Sequence, residues 1–132
     1  MRLKYNAPTV LTFTFMSALV LILSHTVLPS LTEQWFMVSG KGGFVPSRIH
    51  SWVVLISHVL GHASWSHLIG NFSVILLIGP ILEERYGSLV LLEMILLTAL
   101  VTGALNVLLF TPSLLGASGV AFMMILLASF TN

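Results

Sequence analysis

Residues 89–110 read LVLLEMILLTALVTGALNVLLF, an apolar run interrupted only by Glu93 and Asn106. As a helix rising 1.5 Å per residue, about 20 apolar residues are enough to cross the hydrocarbon core of a bilayer. Similar runs occupy residues 9–28 and 63–82, and a shorter one occupies residues 117–131. The sequence therefore predicts an all-α protein, a polytopic bundle of transmembrane helices.

The overall composition supports an integral membrane protein. Of 132 residues, 57% are hydrophobic and only 7% are charged, whereas soluble domains carry roughly 25% charged residues. So few charges cannot cover the surface of a cytosolic domain, and a net charge of +1 lacks the basic excess that nucleic-acid binding requires. Cysteine is absent, which excludes disulfides, thiolate metal sites and cysteine nucleophiles.

The apolar run at residues 9–28 has two interpretations. It exceeds the 7–15 apolar residues of a signal peptide and is followed by no clear cleavage site, so we expect a retained helix. Residues 30–61 form the expected loop and interfacial segment, and residues 83–88 form an expected polar connection. The positive charges, Arg2, Lys4 and Arg85 against Lys41 and Arg48, predict a cytoplasmic N-terminus.

Polar side chains at membrane depth are costly and therefore informative. His67 and Asn71 are four residues apart and share one helix face. Both can donate a hydrogen bond, which would suit an oxyanion hole. The alternative is a hydrogen-bonding pair that joins two helices.

The motif Gly-Ala-Ser-Gly at residues 116–119 opens the last apolar run. Ser118 would meet the positive end of a helix dipole, which favours a developing oxyanion. Helix capping and close packing of small residues are the alternatives. Phe122, one turn later, could form an apolar wall beside Ser118. Because the second and last helices would begin on the same side of the membrane, His67, Asn71 and Ser118 are expected at similar depth.

Three histidines leave a different function open. His58, His62 and His67 could bind a metal ion, as in a metal-binding or transport protein. No carboxylate or cysteine lies in the same segment, which disfavours this alternative. Glu83, Glu84 and Arg85 are expected to form a solvated helix end.

Three motifs together resemble those of the rhomboid intramembrane proteases. They are HASWSHLIGN at residues 62–71, LEERYGS at residues 82–88 and GASG at residues 116–119. The resemblance implies a six-helix bundle of which four helices are present, and a serine peptidase that cleaves transmembrane segments of membrane proteins. It implies Ser118 as the nucleophile, His67 and Asn71 as oxyanion donors, His62 as a structural residue and Glu83 as a tie between helices. It implies no cofactor and no metal.

Two departures from the rhomboid pattern matter. The arginine that often follows the first-loop tryptophan is absent, since Val53 follows Trp52. The general base of rhomboids is a histidine on the sixth helix, which residues 1–132 do not include. The last run is also short for a full crossing, so we expect an N-terminal fragment without peptidase activity of its own. The alternative is a non-catalytic rhomboid-like protein that binds membrane clients.

Overall fold

The computed structural model describes residues 6–131 as a bundle of helices. Within this part of the chain there is no β-strand, only one isolated β-bridge between Val38 and Leu114. The helices, in chain order, are α1 (Pro8–His25), α2 (Leu31–Trp35), α3 (Ile49–Ser57) with the 3₁₀ turn His58–Leu60, α4 (Trp65–Tyr86), α5 (Ser88–Leu109) and α6 (Ser118–Ser129). The all-helical prediction is confirmed.

Helices α1, α4 and α5 are each long and apolar enough to cross a membrane. Pro8 stands at the start of α1, where its missing N–H removes no helical hydrogen bond. Ser64 caps α4, its hydroxyl accepting from the backbone N–H of His67 at 3.2 Å. The protein is an integral membrane protein.

Two helix ends differ from the sequence prediction by three residues or more. Helix α1 ends at His25, three residues before the predicted boundary at residue 28. Helix α4 continues to Tyr86, so residues 83–86 are helical rather than part of a polar connection, and Gly87 alone joins α4 to α5. The expected connection was wrong because Glu83 is buried and bonded inside the bundle. Arg2 and Lys4, which entered the orientation argument, lie outside the described residues.

Helix α4 lies at the centre of the bundle and packs against α1, α5 and α6. Ile75 and Leu82 on α4, Leu91 on α5 and Met124 on α6 are fully buried in the main core. Because α4 packs directly against α6, the N-terminal part of α4 and the start of α6 belong to one packed unit.

The segment between α1 and α4 packs tightly against α5. A Cβ on Gly103 would lie 2.5 Å from the carbonyl oxygen of Leu55, so only glycine allows α3 to approach this closely. Val38 and Leu114 exchange two backbone hydrogen bonds of 2.9 Å. The first loop therefore lies directly against the loop that precedes α6.

Candidate active site

The first turns of α4 carry two of the predicted site residues. His67 and Asn71 lie one turn apart on this helix, and both side chains are half-buried. Each approaches Gly116, which precedes α6. A Cβ on Gly116 would lie 2.9 Å from Nε2 of His67 and 3.7 Å from Nδ2 of Asn71. The structure thus places both predicted donors against the loop that leads to Ser118.

Gly116 makes this approach possible. Its φ is +114°, a conformation that L side chains rarely adopt, and it leaves the imidazole of His67 free to lie against the backbone. The N–H of Gly116 donates to the carbonyl oxygen of His58 at 2.9 Å, which fixes the loop from the other side. A glycine is therefore required here on two grounds, conformation and space.

One hydrogen bond defines the tautomer of His67. The backbone N–H of Ala63 donates to Nδ1 at 3.3 Å. In the neutral ring the proton must then be on Nε2, the nitrogen that lies against Gly116. His67 accordingly presents a donor, not an acceptor, to the loop before Ser118.

Asn71 also presents a donor to this loop. Its Nδ2 atom is buried, and within residues 6–131 it has no hydrogen-bond partner. A buried amide without a partner loses its hydration without compensation, a cost of about 1–3 kcal/mol. Such a group is typical of a binding site whose ligand would supply the acceptor.

Ser118 is the first residue of α6, and its side chain is exposed. In the part of the chain that the structure describes, no hydrogen bond engages its hydroxyl. The first N–H groups of a helix lack intrahelical acceptors, so the N–H of Ser118 is a third donor near Gly116. The hydroxyl is accessible to a substrate, as a nucleophile must be.

His62 holds the same loop through a hydrogen bond to its backbone. The N–H of Ala117 donates to Nε2 of His62 at 3.2 Å, and both residues are buried. The His62 ring also packs edge-on against that of His67, with centroids 4.9 Å apart. His62 thus contacts both the loop before Ser118 and one of the two side-chain donors.

His62 is held in the neutral form. Burial, with a smaller contribution from neighbouring His67, lowers the pKa of His62 to about 4. Its Nε2 can accept the N–H of Ala117 only when that nitrogen is unprotonated. The hydrogen bond that holds the loop before Ser118 therefore requires His62 to be neutral.

Glu83 lies at the opposite end of α4. Its side chain is 3% exposed. It accepts hydrogen bonds from the backbone N–H groups of Thr9 and Val10, each at 2.9 Å, and from the Ser88 hydroxyl at 2.6 Å. The expectation of a solvated helix end is wrong for Glu83, because its carboxylate caps the N-terminus of α1. Glu84 and Arg85 are exposed.

Sequence reasoning missed the residue that holds the loop before α6 against the first loop. The buried amide of Asn106 donates to the carbonyl oxygens of Ser39 at 3.1 Å and Pro112 at 2.9 Å. The available signal was a single asparagine in an otherwise apolar helix, which demands partners at membrane depth.

The structure also bears on two further expectations, an apolar wall formed by Phe122 and a metal site formed by histidines. Phe122 is 61% exposed and lines an apolar groove between α5 and α6. Within residues 6–131 no group of three or more His, Asp or Glu side chains is placed to hold a metal ion. His58 instead contacts the Val54 carbonyl oxygen and the Thr102 hydroxyl.

Comparison with known families agrees with the fold and the motifs. The rhomboid domain family matches residues 49–132, more than half of the chain and all of the residues discussed around Ser118. The chain belongs to the rhomboid family. No curated protein matches it. The family includes both proteases and inactive homologues.

Proposed function

We propose that this chain forms the nucleophile and oxyanion part of a rhomboid-type intramembrane serine peptidase. The observation that carries the proposal is the approach of His67 Nε2 and Asn71 Nδ2 to Gly116, two residues before Ser118. The hydrogen bond from Ala63 places the His67 proton on Nε2, and Nδ2 of Asn71 is buried with no partner among residues 6–131. A plain helix–helix hydrogen bond would leave no such unpaired donor.

In this proposal Ser118 attacks the carbonyl carbon of a peptide bond in a transmembrane substrate. The Ser118 proton passes to a general base as the new C–O bond forms. The oxyanion accepts hydrogen bonds from Nε2 of His67, Nδ2 of Asn71 and the N–H of Ser118. Collapse of the intermediate breaks the C–N bond, the leaving amine takes the proton from the base, and water then hydrolyses the acyl-enzyme.

The base is supplied by neither His67 nor His62, the two histidines that contact the loop before Ser118. Nε2 of His67 carries a proton because Nδ1 accepts from Ala63, and Nε2 of His62 accepts from Ala117. The proposal therefore assigns the base to a histidine on another helix of the complete rhomboid domain. Substrates would be segments whose helix unwinds readily, since an intact helix hides its carbonyl carbons from Ser118.

Because the hydrogen bonds of His67 and His62 leave neither ring to act as the base, a second candidate is also favoured. This is a rhomboid-like protein that binds membrane clients without cleaving them. The two functions differ in the reactivity of Ser118. Treatment of the complete rhomboid domain with a fluorophosphonate should modify Ser118, and mass spectrometry of the peptide locates the label. Ser118→Ala should abolish labelling, whereas Ser113→Ala, an exposed serine of the same loop, should not. Absence of labelling, or labelling that survives Ser118→Ala, would favour the client-binding protein.

A further inference from the structure

Two polar side chains of α5 are linked to the candidate active site without being part of it. Thr102 and Asn106 are four residues apart and therefore share one face of the helix. Neither is among the proposed nucleophile and oxyanion donors. Polar side chains in a membrane-spanning helix are costly unless they make defined contacts. The contacts of these two lead to residues 110–117, the loop before Ser118.

Thr102 connects α5 to Gly116 through one intermediate residue. Its Oγ1 atom lies 3.3 Å from Nε2 of His58, and the carbonyl oxygen of His58 accepts the N–H of Gly116 at 2.9 Å. The His58 side chain is fully buried, so it has little room to move without its partner. The position of Gly116 therefore depends on how α5 holds His58.

The methyl group of Thr102 reaches α6. A Cβ on Gly119 would lie 3.3 Å from Cγ2 of Thr102, so the methyl group packs against the backbone of the residue that follows Ser118. The hydroxyl of the same threonine acts on Gly116 through His58. One side chain is thus linked to the chain on both sides of Ser118.

Asn106 holds the beginning of the loop. Its buried amide donates to the carbonyl oxygens of Ser39 at 3.1 Å and Pro112 at 2.9 Å, so both hydrogens of the amide are used. Pro112 has no N–H and cannot itself donate to the first loop. The amide therefore joins the two loops at a residue where the backbone donor is missing.

These contacts hold the loop at two places from one helix. Asn106 holds it at Pro112, and Thr102 holds it at Gly116 by way of His58. The two oxyanion donors belong to α4, so their distance from Gly116 depends on where α5 keeps the loop. A displacement of about 1 Å in an active site can lower a reaction rate about 100-fold.

We propose that Thr102 and Asn106 are positioning residues for the oxyanion site. The inference rests on the proposed function, in which the oxyanion forms beside Gly116. Thr102 and Asn106 touch neither the substrate nor the reacting atoms. They hold the loop where His67, Asn71 and the N–H of Ser118 can meet one oxygen atom.

Kinetics of the complete rhomboid domain test the Thr102 hydroxyl separately from its packing. Thr102→Val keeps the methyl group and loses the hydroxyl, so kcat should fall about tenfold while KM stays within about twofold of wild type. Thr102→Ser keeps the hydroxyl and should restore most of the rate. The control is Thr98→Val, one turn earlier on α5, where the hydroxyl donates to the Met94 carbonyl oxygen of its own helix.

Hydrogen exchange of the same domain tests the hold on the loop directly. Asn106→Leu has a similar volume but no donors, and it should lower kcat about tenfold as well. In Thr102→Val and Asn106→Leu, the amide hydrogens of Gly116 and Ala117 should exchange at least about threefold faster than in wild type. Thr98→Val should leave their exchange unchanged.

Three results would overturn the inference. Unchanged exchange in both variants would show that α5 does not hold the loop. Faster exchange at the wild-type kcat would show that this hold does not matter to the reaction. Equal losses of kcat in Thr102→Val and Thr98→Val would indicate a general loss of stability. A wild-type domain that neither cleaves nor reacts with a fluorophosphonate would instead contradict the proposed function, and exchange would still test the hold of α5 on Gly116.

Discussion

Nε2 of His62 accepts the hydrogen bond that the backbone N–H of Ala117 donates, at 3.2 Å. This single contact joins the chain just before α4 to the residue before the proposed nucleophile. It also makes the loop sensitive to protonation, because an imidazolium has no nitrogen lone pair left to accept.

The first prediction concerns pH. The folded pKa of His62, about 4, lies below its ordinary value of 6.5. Between these values the unfolded chain binds more protons than the folded chain, so stability falls as pH decreases. Burial lowers the pKa of His58 as well, in the same direction. We expect the denaturation temperature in detergent to fall between pH 6.5 and 5.

Substitutions at His62 separate its two contributions. His62→Gln keeps an acceptor for Ala117 but does not titrate, so the dependence of the denaturation temperature on pH should become shallower. His62→Ala loses the acceptor and should be less stable than His62→Gln at pH 7. An equally steep pH dependence in wild type and His62→Gln would disprove this role.

The second prediction concerns the glycine at the site. Gly116→Ala should push His67 away and strain the loop, because the new Cβ would lie 2.9 Å from Nε2 at a φ of +114°. Fluorophosphonate labelling of Ser118 in the complete domain should fall at least tenfold.

Gly70 provides the matched control, since it lies between His67 and Asn71 on α4. A Cβ at Gly70 meets no atom within 4 Å, and alanine favours a helix over glycine by about 1 kcal/mol. Gly70→Ala should therefore label normally and be no less stable than wild type. Normal labelling of Gly116→Ala would show that the loop tolerates a side chain.

The third prediction concerns the carboxylate that joins α4 to α1. Glu83→Gln replaces one acceptor oxygen by a donor, which leaves at least one of the N–H or O–H groups that face it unpaired. The loss should be about 1–3 kcal/mol in the free energy of unfolding in mixed micelles. Glu93→Gln, at an exposed position, should change it by less than about 0.5 kcal/mol. If Glu83→Gln lowered the free energy of unfolding no more than Glu93→Gln does, the hydrogen bonds of Glu83 would not stabilise the fold.

Much of this architecture could be predicted from the sequence. The long apolar runs define α1, α4 and α5, since a helix of about 20 apolar residues satisfies all of its backbone hydrogen bonds within one crossing of the bilayer. The spacing of His67 and Asn71 also predicted that the two side chains share one face of their helix, and both lie against Gly116. Both features depend only on residues that are close together in the sequence.

Other features depend on tertiary contacts that no local pattern reveals. Residues 83–86 looked like a connection because they are charged, yet Glu83 faces the end of another helix and the helix continues. The bond between Ala117 and His62 joins residues 55 positions apart. The packing of α3 on Gly103 likewise required the fold to be known.

The most direct test of the account is the rate of substrate cleavage by the complete rhomboid domain. If His67 and Asn71 stabilise the oxyanion, His67→Ala and Asn71→Ala should each lower kcat by roughly 10²–10³ with little change in KM. Ser73→Ala, an exposed position on the same helix, should cleave at the wild-type rate. Cleavage at the wild-type rate by Asn71→Ala and His67→Ala would contradict the assignment of both residues.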